Sequence, residues 1–168
     1  ISLGLVGSEM CIRDRYSPYI AMLKVSSQNR RYIPMDYLER EIIPGDKLFT
    51  MPSATSYEFG KLMSNVHMAW TRAVCGRLKS DYSYSNTIVY NNFPWPSPTK
   101  AILNARALYP DSNLADLYDP LTMPTELLKA HNANNRAVMD AYGFSIKMSE
   151  ADCVAELMRM YQKLTKEK

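Results

Sequence analysis

The chain has few of the residues that build metal sites, disulfide frameworks and membrane spans. Its 168 residues include three cysteines and two histidines. The cysteines are scattered, odd in number and without a C-x-x-C pair, so neither a disulfide framework nor a zinc site is indicated. No stretch approaches the roughly 18 uninterrupted apolar residues that a membrane helix needs. These features favour a protein of a reducing cytoplasm, with no membrane partner.

Sequence motifs of several catalytic classes are absent as well. The chain contains no G-x-S-x-G elbow, P-loop, H-E-x-x-H or G-x-G-x-x-G motif. Asn92-Phe-Pro-Trp95 is superficially similar to the Asn-Pro-Pro-aromatic loop of amino-methyltransferases, but Phe93 stands where that loop needs its first proline. His67 and His131 have no second ligand type near them in sequence, and Cys75 borders an apolar helical stripe, so we interpret all three as packing or surface residues. We therefore expect no catalytic residue and no metal site in this chain.

What is present is ordinary for a globular protein, except for where the charge lies. Apolar residues make up 46% and charged residues 22% of the chain, and the net charge is +3. Residues 16–96 contain nine lysines and arginines against six aspartates and glutamates, whereas residues 1–15 and 97–168 are each balanced. The whole excess therefore lies in the middle segment, where an anionic partner is expected.

Residues 1–15 do not have the pattern of a natural protein segment. They show no sustained period of 3.6 or 2 and lack the features of a signal peptide. They are similar to stretches that arise when sequencing-adapter DNA is translated as coding sequence. We interpret them as non-native, the alternative being a frayed natural N-terminus. In either case we expect the remainder to begin in the middle of a longer protein.

Residues 16–96 show a mixed pattern of short strands and one long helix. The apolar runs 19–25 and 31–35 flank a polar turn and predict a β-hairpin, and residues 47–51 and 87–90 predict two further strands. Between these two strands, apolar residues at steps of three and four predict a helix over residues 55–76.

Both ends of this predicted helix have capping signals in the sequence. Thr55 and Glu58 have the spacing of a capping box, and Gly76 is a typical helix stop. Trp70 and the methionines of the stripe are interpreted as core residues.

Residues 97–168 have a helical pattern after the boundary marked by the prolines of residues 91–98. Helices are predicted from Pro98 to about residue 108, at 112–118, from Thr122 and Pro124 to His131, from Asn134 to Tyr142 with Gly143 as the stop, and from Ser149 to about Thr165. The predicted fold class is therefore α+β, with a small mixed domain at 16–96 followed by an α-helical domain at 97–168.

The segment 72–85 combines basic, hydroxyl and aromatic side chains. Arginine and lysine neutralise phosphates, and serine and tyrosine hydroxyls bond phosphates or base edges. Lysine donates to the major-groove acceptors of guanine, while aspartate accepts from the amino group of the paired cytosine. The segment suits a DNA-facing surface, although composition alone favours a solvated loop. Its relevant residues are Arg72, Arg77, Lys79, Asp81, Tyr82, Ser83 and Tyr84.

Several long strings of the sequence closely resemble a known family. They are residues 26–34, 64–70, 75–85 and 91–96, which resemble the target-recognition domain of the MmeI-like family, and residues 105–112 and 117–124, which resemble its C-terminal helical segment. These proteins are bacterial DNA adenine methyltransferases, often fused to an endonuclease. The similarity extends in order over essentially residues 16–168.

The resemblance implies a DNA-recognition module from the C-terminal part of a much larger, cytoplasmic bacterial restriction-modification enzyme. In that enzyme an upstream domain of the same polypeptide transfers a methyl group from S-adenosylmethionine to a flipped adenine. Neither the cofactor-binding glycine loop nor the catalytic loop of the family lies in this chain. We therefore expect it to bind double-stranded DNA weakly or with help, to bind no S-adenosylmethionine and to be inactive alone.

The resemblance also assigns roles to individual residues. Lys79 and Asp81 match a pair that reads one base pair, and Lys47 and Ser83 match a second pair acting on a neighbouring base, which predicts guanine preference at both. A phosphate contact is the alternative for Lys47. Residues expected to contact the DNA backbone are Arg30, Arg31, Arg72, Arg77, Tyr82 and Tyr84, with an intramolecular salt bridge as the alternative for each arginine.

A different functional class remains open from the sequence. The C-terminal helices are balanced in charge and have several amphipathic faces, which also suits a non-catalytic protein-interaction module. Salt-dependent binding of duplex DNA separates the two, because an interaction module would show none.

Overall fold

The structure is a computed structural model that describes residues 18–39, 41–95 and 123–166. The strands in these ranges are β1 (Tyr19–Leu23), β2 (Val25–Ser26), β3 (Met35–Leu38), β4 (Leu48–Pro52), β5 (Gly76–Leu78) and β6 (Asp81–Ser83). The helices are α1 (Ser56–Leu62), α2 (Asn65–Val74), α3 (Thr125–Tyr142) and α4 (Glu150–Lys166). Small antiparallel sheets combined with helices confirm the predicted α+β class.

The first sheet has the strand order β3-β1-β4. β1 lies in its centre, and four of its side chains, those of Tyr19 to Met22, are buried. β4 confirms the strand predicted at residues 47–51, shifted by one residue.

The hairpin prediction is correct in its pairing and wrong in the position of its second strand. β1 pairs antiparallel with β3, so that Met22 lies opposite Met35. The second strand therefore begins where the predicted run 31–35 ends. Tyr32 and Ile33 are buried in the core without being in a strand, and Pro34 has no N–H to donate to a ladder. The apolar residues of this run are explained by burial in the core and not by strand formation.

The second sheet has the strand order β2-β6-β5. The chain bends at Lys24, between β1 and β2. β2 pairs with β6, and β6 pairs with β5 in a tight hairpin. The backbone of Lys24 joins the two sheets, because its N–H donates to the Lys47 carbonyl at 3.0 Å and its carbonyl accepts from the Tyr84 N–H at 2.8 Å.

The region predicted as one helix over residues 55–76 contains two helices. The predicted capping box is present at the start of α1, where the Thr55 N–H donates to the Glu58 carboxylate at 2.7 Å. Ser64 then begins α2, and its hydroxyl accepts from the His67 N–H at 3.2 Å. Both helices bury their apolar side chains in the same core, so the apolar period continues across the break.

The predicted helix stop and the strand after it are also wrong. α2 ends at Val74, and Gly76 begins β5 instead of ending a helix. Residues 87–90, predicted as a strand, lie in a π-helical turn over Asn86–Tyr90, and the Asn91 N–H donates to the Asn86 carbonyl at 2.9 Å. The Trp70 indole N–H donates to the Val89 carbonyl at 2.9 Å, so a tertiary contact holds this turn against the β-propensity of its residues.

The C-terminal helices differ from their predictions in continuity. α3 is one helix through residues that the sequence divides into two, and it ends at Gly143, which has the left-handed φ of 71° expected of a stop. α4 begins at the predicted Ser149, whose hydroxyl accepts from the Asp152 N–H at 3.1 Å. Its buried face includes Leu157, whereas Leu164 near its end is exposed.

The C-terminal helices pack on the mixed part through buried polar contacts as well as apolar ones. The Asn135 amide accepts from the Asn65 N–H and donates to the Tyr32 hydroxyl, both at 2.8 Å. The Asn134 amide donates to the Gly60 carbonyl at 2.8 Å. Leu127 and Leu157 of the C-terminal helices share one core with Trp70 of α2, so the two parts are packed as one body.

Some predictions lie outside the described residues. They are the non-native assignment of residues 1–15, the helices at 98–108 and 112–118, and the start of a helix at Thr122. In the part of the chain that is described, no helix is long and apolar enough to cross a bilayer, and no group of histidine, cysteine or acidic side chains could hold a metal ion.

Candidate nucleic-acid interface

The hairpin of β5 and β6 carries three of the four residues predicted to read bases. Its turn is Lys79-Ser80, and Lys79 has a φ of 56°, in the left-handed region that non-glycine residues enter at a cost of roughly 1 kcal/mol. Lys79 is exposed at this turn. The hairpin therefore holds a lysine at its tip in a conformation that a loop without constraint would avoid.

The alternation of β6 separates reading positions from core positions. Asp81 and Ser83 are half-buried on one face, and Tyr82 between them is buried on the other. The structure thus brings Lys79, Asp81 and Ser83 together along one strand and its turn, as the predicted base-reading pairs require.

The second sheet has further residues on the same face as Asp81 and Ser83. Leu78 lies directly opposite Asp81, and Val25 and Gly76 lie opposite Ser83. Side chains of directly opposite residues in antiparallel strands point to the same face. This face, made of Val25, Gly76, Leu78, Asp81 and Ser83, is called the outer face below.

The backbone of the fourth predicted base-reading residue, Lys47, is hydrogen-bonded to that of Lys24. Lys47 is exposed in the turn before β4, and its carbonyl accepts from the Lys24 N–H. Lys24 is followed by Val25, which lies opposite Ser83. The predicted second pair, Lys47 and Ser83, therefore lies on either side of the Lys24–Val25 backbone.

Lys24 is a residue that the sequence reasoning missed. Its ammonium group donates to the Asp46 carbonyl at 2.5 Å and lies 5.2 Å from the centre of the Phe49 ring. It therefore fixes the Asp46–Lys47 turn and adds a positive charge beside it. The signal in the sequence was a lysine that interrupts an otherwise apolar run.

Arg77 lies on the opposite face of the hairpin from the outer face. Its guanidinium lies 4.2 Å from the centre of the Tyr82 ring and donates to the Ser80 carbonyl at 3.2 Å. The side chain is exposed and oriented by these two contacts. An oriented, exposed arginine beside the hairpin turn is a suitable phosphate ligand.

Tyr82 and Tyr84, predicted as DNA-backbone contacts, have structural roles. Each is only 4% exposed. Tyr82 supports Arg77, and the Tyr84 hydroxyl lies 3.0 Å from Nε2 of the buried His67. Burial raises the pKa of Tyr84 above the ordinary value for a phenol. The alternating tyrosines of 82–84 suggested a surface because the sequence does not show that both rings point inward.

Two of the three remaining arginines have intramolecular side-chain contacts. Arg72 forms an ion pair with Glu150 of α4 at 3.0 Å, and Arg31 donates to the Asn132 side chain of α3 at 3.1 Å. Arg30 is half-buried, and its Nη1 has no hydrogen-bond partner among the described residues. For Arg72 the structure shows the salt bridge that the sequence left open as the alternative to a phosphate contact.

His67 and Cys75 are packing residues, as the sequence predicts. His67 is fully buried, and burial lowers its pKa to about 4. The Cys75 thiol donates to the Ser83 carbonyl at 3.0 Å, and burial raises its pKa. Cys75 thereby connects the end of α2 to Ser83, the last residue of β6.

Comparison with known proteins gives two family matches that meet at residue 97. Residues 8–97 match the family described as MmeI, target recognition domain, and residues 97–167 match the family described as MmeI, C-terminal domain.

Two individual proteins are similar to nearly the whole chain. DNA methyltransferase A of Bacillus subtilis (strain 168) is 38% identical over 156 residues, which cover 87% of this chain and 18% of that protein. A solved structure of the Type IIL restriction-modification enzyme MmeI in complex with DNA is 42% identical, with a TM-score of 0.84 over 90% of this chain and 22% of that one. The chain spans about a fifth of the length of each relative.

Proposed function

The chain belongs to the MmeI family, whose target-recognition and C-terminal domains it matches, and on that premise we propose that it is the DNA-reading part of an adenine-specific DNA methyltransferase. The observation that carries the proposal is the β5–β6 hairpin, which holds Lys79 at an exposed turn and Asp81 and Ser83 half-buried along the strand that follows. The solved MmeI structure contains DNA, which agrees with a DNA-binding role for the matched region.

The first reading pair is Lys79 with Asp81. A lysine ammonium donates to O6 and N7 of guanine, and an aspartate carboxylate accepts from the amino group of the paired cytosine. Two residues that are two positions apart on a strand and its turn reach the two bases of one pair from the major groove. We propose that they specify a G·C pair with guanine on the lysine side.

The second reading pair is Lys47 with Ser83. The proposal is supported by the backbone of Lys24 and Val25, which lies between the two residues, because Lys47 bonds Lys24 and Ser83 lies opposite Val25. We propose that Lys47 prefers guanine at a base pair next to the first, and its alternative role is a phosphate contact. Arg77 is the best-oriented phosphate ligand, and Arg30, Arg31 and Arg72 are further candidates on their charge alone.

The catalytic steps belong to the rest of the proposed enzyme. The chain covers about a fifth of its relatives, one of which is named as a DNA methyltransferase. Proteins of that class generally use S-adenosylmethionine, and we propose that an upstream domain of the same polypeptide binds it and transfers the methyl group to adenine. This chain determines the position on the DNA at which that transfer occurs. The proposed enzyme acts in the cytoplasm of a bacterium.

The proposal is tested by selecting duplexes that bind the full 168-residue chain from a randomised pool. We expect binding that weakens with salt and selects a G·C pair at one position. The double variant Lys79→Glu with Asp81→Arg reverses the two charges, so it should change the preferred pair to C·G and retain binding.

Arg77→Ala provides the contrasting variant. It should weaken binding to all duplexes alike and reduce the salt dependence, because a phosphate contact carries no sequence information. Arg136→Ala, an exposed arginine of α3, serves as the control with unchanged binding. Binding that is independent of salt and sequence would contradict the proposed function and favour the protein-interaction module.

A further inference from the structure

The outer face contains two exposed apolar side chains beside the proposed readers. Leu78 is 57% exposed and Val25 is 39% exposed. Leu78 lies directly opposite Asp81, and Val25 lies directly opposite Ser83. Each half-buried polar side chain of β6 therefore has an apolar neighbour on the same face.

These apolar side chains are not required by the core. The inward face of the sheet carries Tyr82 and Ser26, which are buried, whereas Leu78 is among the most exposed large apolar residues of the described chain. An apolar side chain with most of its surface in water gains stability only when a partner covers it.

The polar readers leave one feature of the DNA unread. Lysine, aspartate and serine recognise hydrogen-bond donors and acceptors, but the 5-methyl group of thymine can be recognised only by an apolar contact. A leucine beside an aspartate on a major-groove face supplies that contact.

The register of the hairpin sets which base pair the leucine meets. Directly opposite Cα atoms in an antiparallel pair lie about 5 Å apart. Successive base pairs are separated by about 3.4 Å along the duplex. A displacement of about 5 Å is between one and two base steps, so the base pair next to the one proposed for Asp81 is within reach of Leu78.

We infer that Leu78 is a further specificity-determining residue, which contacts the 5-methyl group of a pyrimidine in the base pair next to the one read by Lys79 and Asp81. The inference rests on the proposed function. Thymine and 5-methylcytosine carry the same methyl group at the same place, and the experiment distinguishes them.

The test uses the full chain and the duplexes selected as described above. Thymines in the selected duplex are replaced one at a time by deoxyuridine, which removes only the methyl group. We expect one replacement, next to the G·C pair, to weaken binding about fourfold, which corresponds to the roughly 0.8 kcal/mol of one buried methyl group. A cytosine-containing duplex regains the lost affinity on 5-methylation if the methyl group alone is recognised.

Leu78→Ala should weaken binding to the thymine duplex and should be insensitive to the same deoxyuridine replacement. The matched control is Leu164→Ala, because Leu164 is 53% exposed and lies on α4 and not in the second sheet. Unchanged circular dichroism shows that Leu78→Ala remains folded, as expected for an exposed side chain.

The outcomes separate the inference from the function on which it rests. The inference about Leu78 would be overturned if binding is sequence-selective but neither Leu78→Ala nor deoxyuridine weakens it. It would also be overturned if the two changes weaken binding independently of each other. Either result would leave the proposed function standing. The absence of any sequence-selective binding would overturn the proposed function, and the assignment of Leu78 with it.

Discussion

At the scale of single residues, the role of Lys79, Asp81 and Ser83 in base reading stays a prediction, and the tyrosines predicted beside them, Tyr82 and Tyr84, are buried. Lys79, Asp81 and Ser83 lie together because a strand alternates its faces, and that same alternation directs Tyr82 inward. Residue type alone does not say which face of a strand a tyrosine occupies. Lys24 and Leu78 were missed for the related reason that their importance depends on what lies opposite them.

The buried His67 gives a prediction about stability at this scale. A carbonyl can only accept, so Nδ1 carries the proton donated to the Leu62 carbonyl at 3.1 Å, and Nε2 accepts from the Tyr84 hydroxyl at 3.0 Å. This neutral ring fits the pKa of about 4, well below its ordinary 6.5.

The unfolded chain takes up the proton first as the pH falls, because its histidine keeps the higher pKa. The free energy of unfolding should therefore decrease between pH 6.5 and about 4, by up to about 3 kcal/mol from this group. Urea unfolding at pH 7, 6, 5 and 4.5 measures it. The variant His67→Gln should lose most of this slope above pH 5, and an equal slope in both proteins would contradict the assignment.

At the scale of elements, the break between α1 and α2 determines where the base-reading hairpin begins. Ser64 ends one helix and begins the next, since its hydroxyl donates to the Lys61 carbonyl at 2.6 Å and accepts from the His67 N–H. α2 then leads directly into β5. An uninterrupted helix would continue in the direction of α1, and the hairpin after it would then lie in a different place.

Ser64→Ala should therefore reduce the free energy of unfolding by about 1 to 2 kcal/mol, because a buried helix cap is lost. Thr125→Ala, at an exposed position in the first turn of α3, should change it by less than about 0.5 kcal/mol. Chemical denaturation followed by tryptophan fluorescence measures both. Equal effects of the two substitutions would show that Ser64 is not a structural cap.

At the scale of the whole molecule, the C-terminal helices are part of the body that supports the reading surface. The buried amide of Asn135 bonds both Asn65 at the start of α2 and Tyr32 in the loop before β3. Arg72 at the end of α2 pairs with α4. The helix that leads into the hairpin is thus held by α3 at one end and by α4 at the other. The division of the chain into domains at 16–96 and 97–168 stays a prediction.

Asn135→Ala should reduce the free energy of unfolding by about 2 to 3 kcal/mol, because two buried hydrogen bonds are lost. Asn132→Ala, which removes a partner of the exposed Arg31, is the control with a smaller loss. Fluorescence of Trp70 and Trp95 reports on the mixed part, and circular dichroism reports on all helices. The two signals should change together in one transition for both variants, and separate transitions would contradict a single body.

The sequence by itself determined the fold class, the family and the capping residues, because these depend on local patterns and on long, unusual strings. The capping box at Thr55 and the stop at Gly143 involve residues within a few positions of one another, and both are present. The single helix over 55–76 and the strand over 87–90 were wrong because apolar periodicity and β-propensity do not include tertiary contacts. The bond from Trp70 to Val89 and the cap at Ser64 decide those segments.

Only the tertiary structure decided which of the predicted residues lie near one another. The backbone of Lys24 and Val25 lies between Lys47 and Ser83, and the register of the second sheet places Leu78 next to Asp81. Both depend on hydrogen bonds between residues far apart in the chain, which no local pattern encodes. The chain has few cysteines and histidines, and the proposed surface uses neither. Its proposed DNA-reading side chains are lysine, aspartate, serine and leucine.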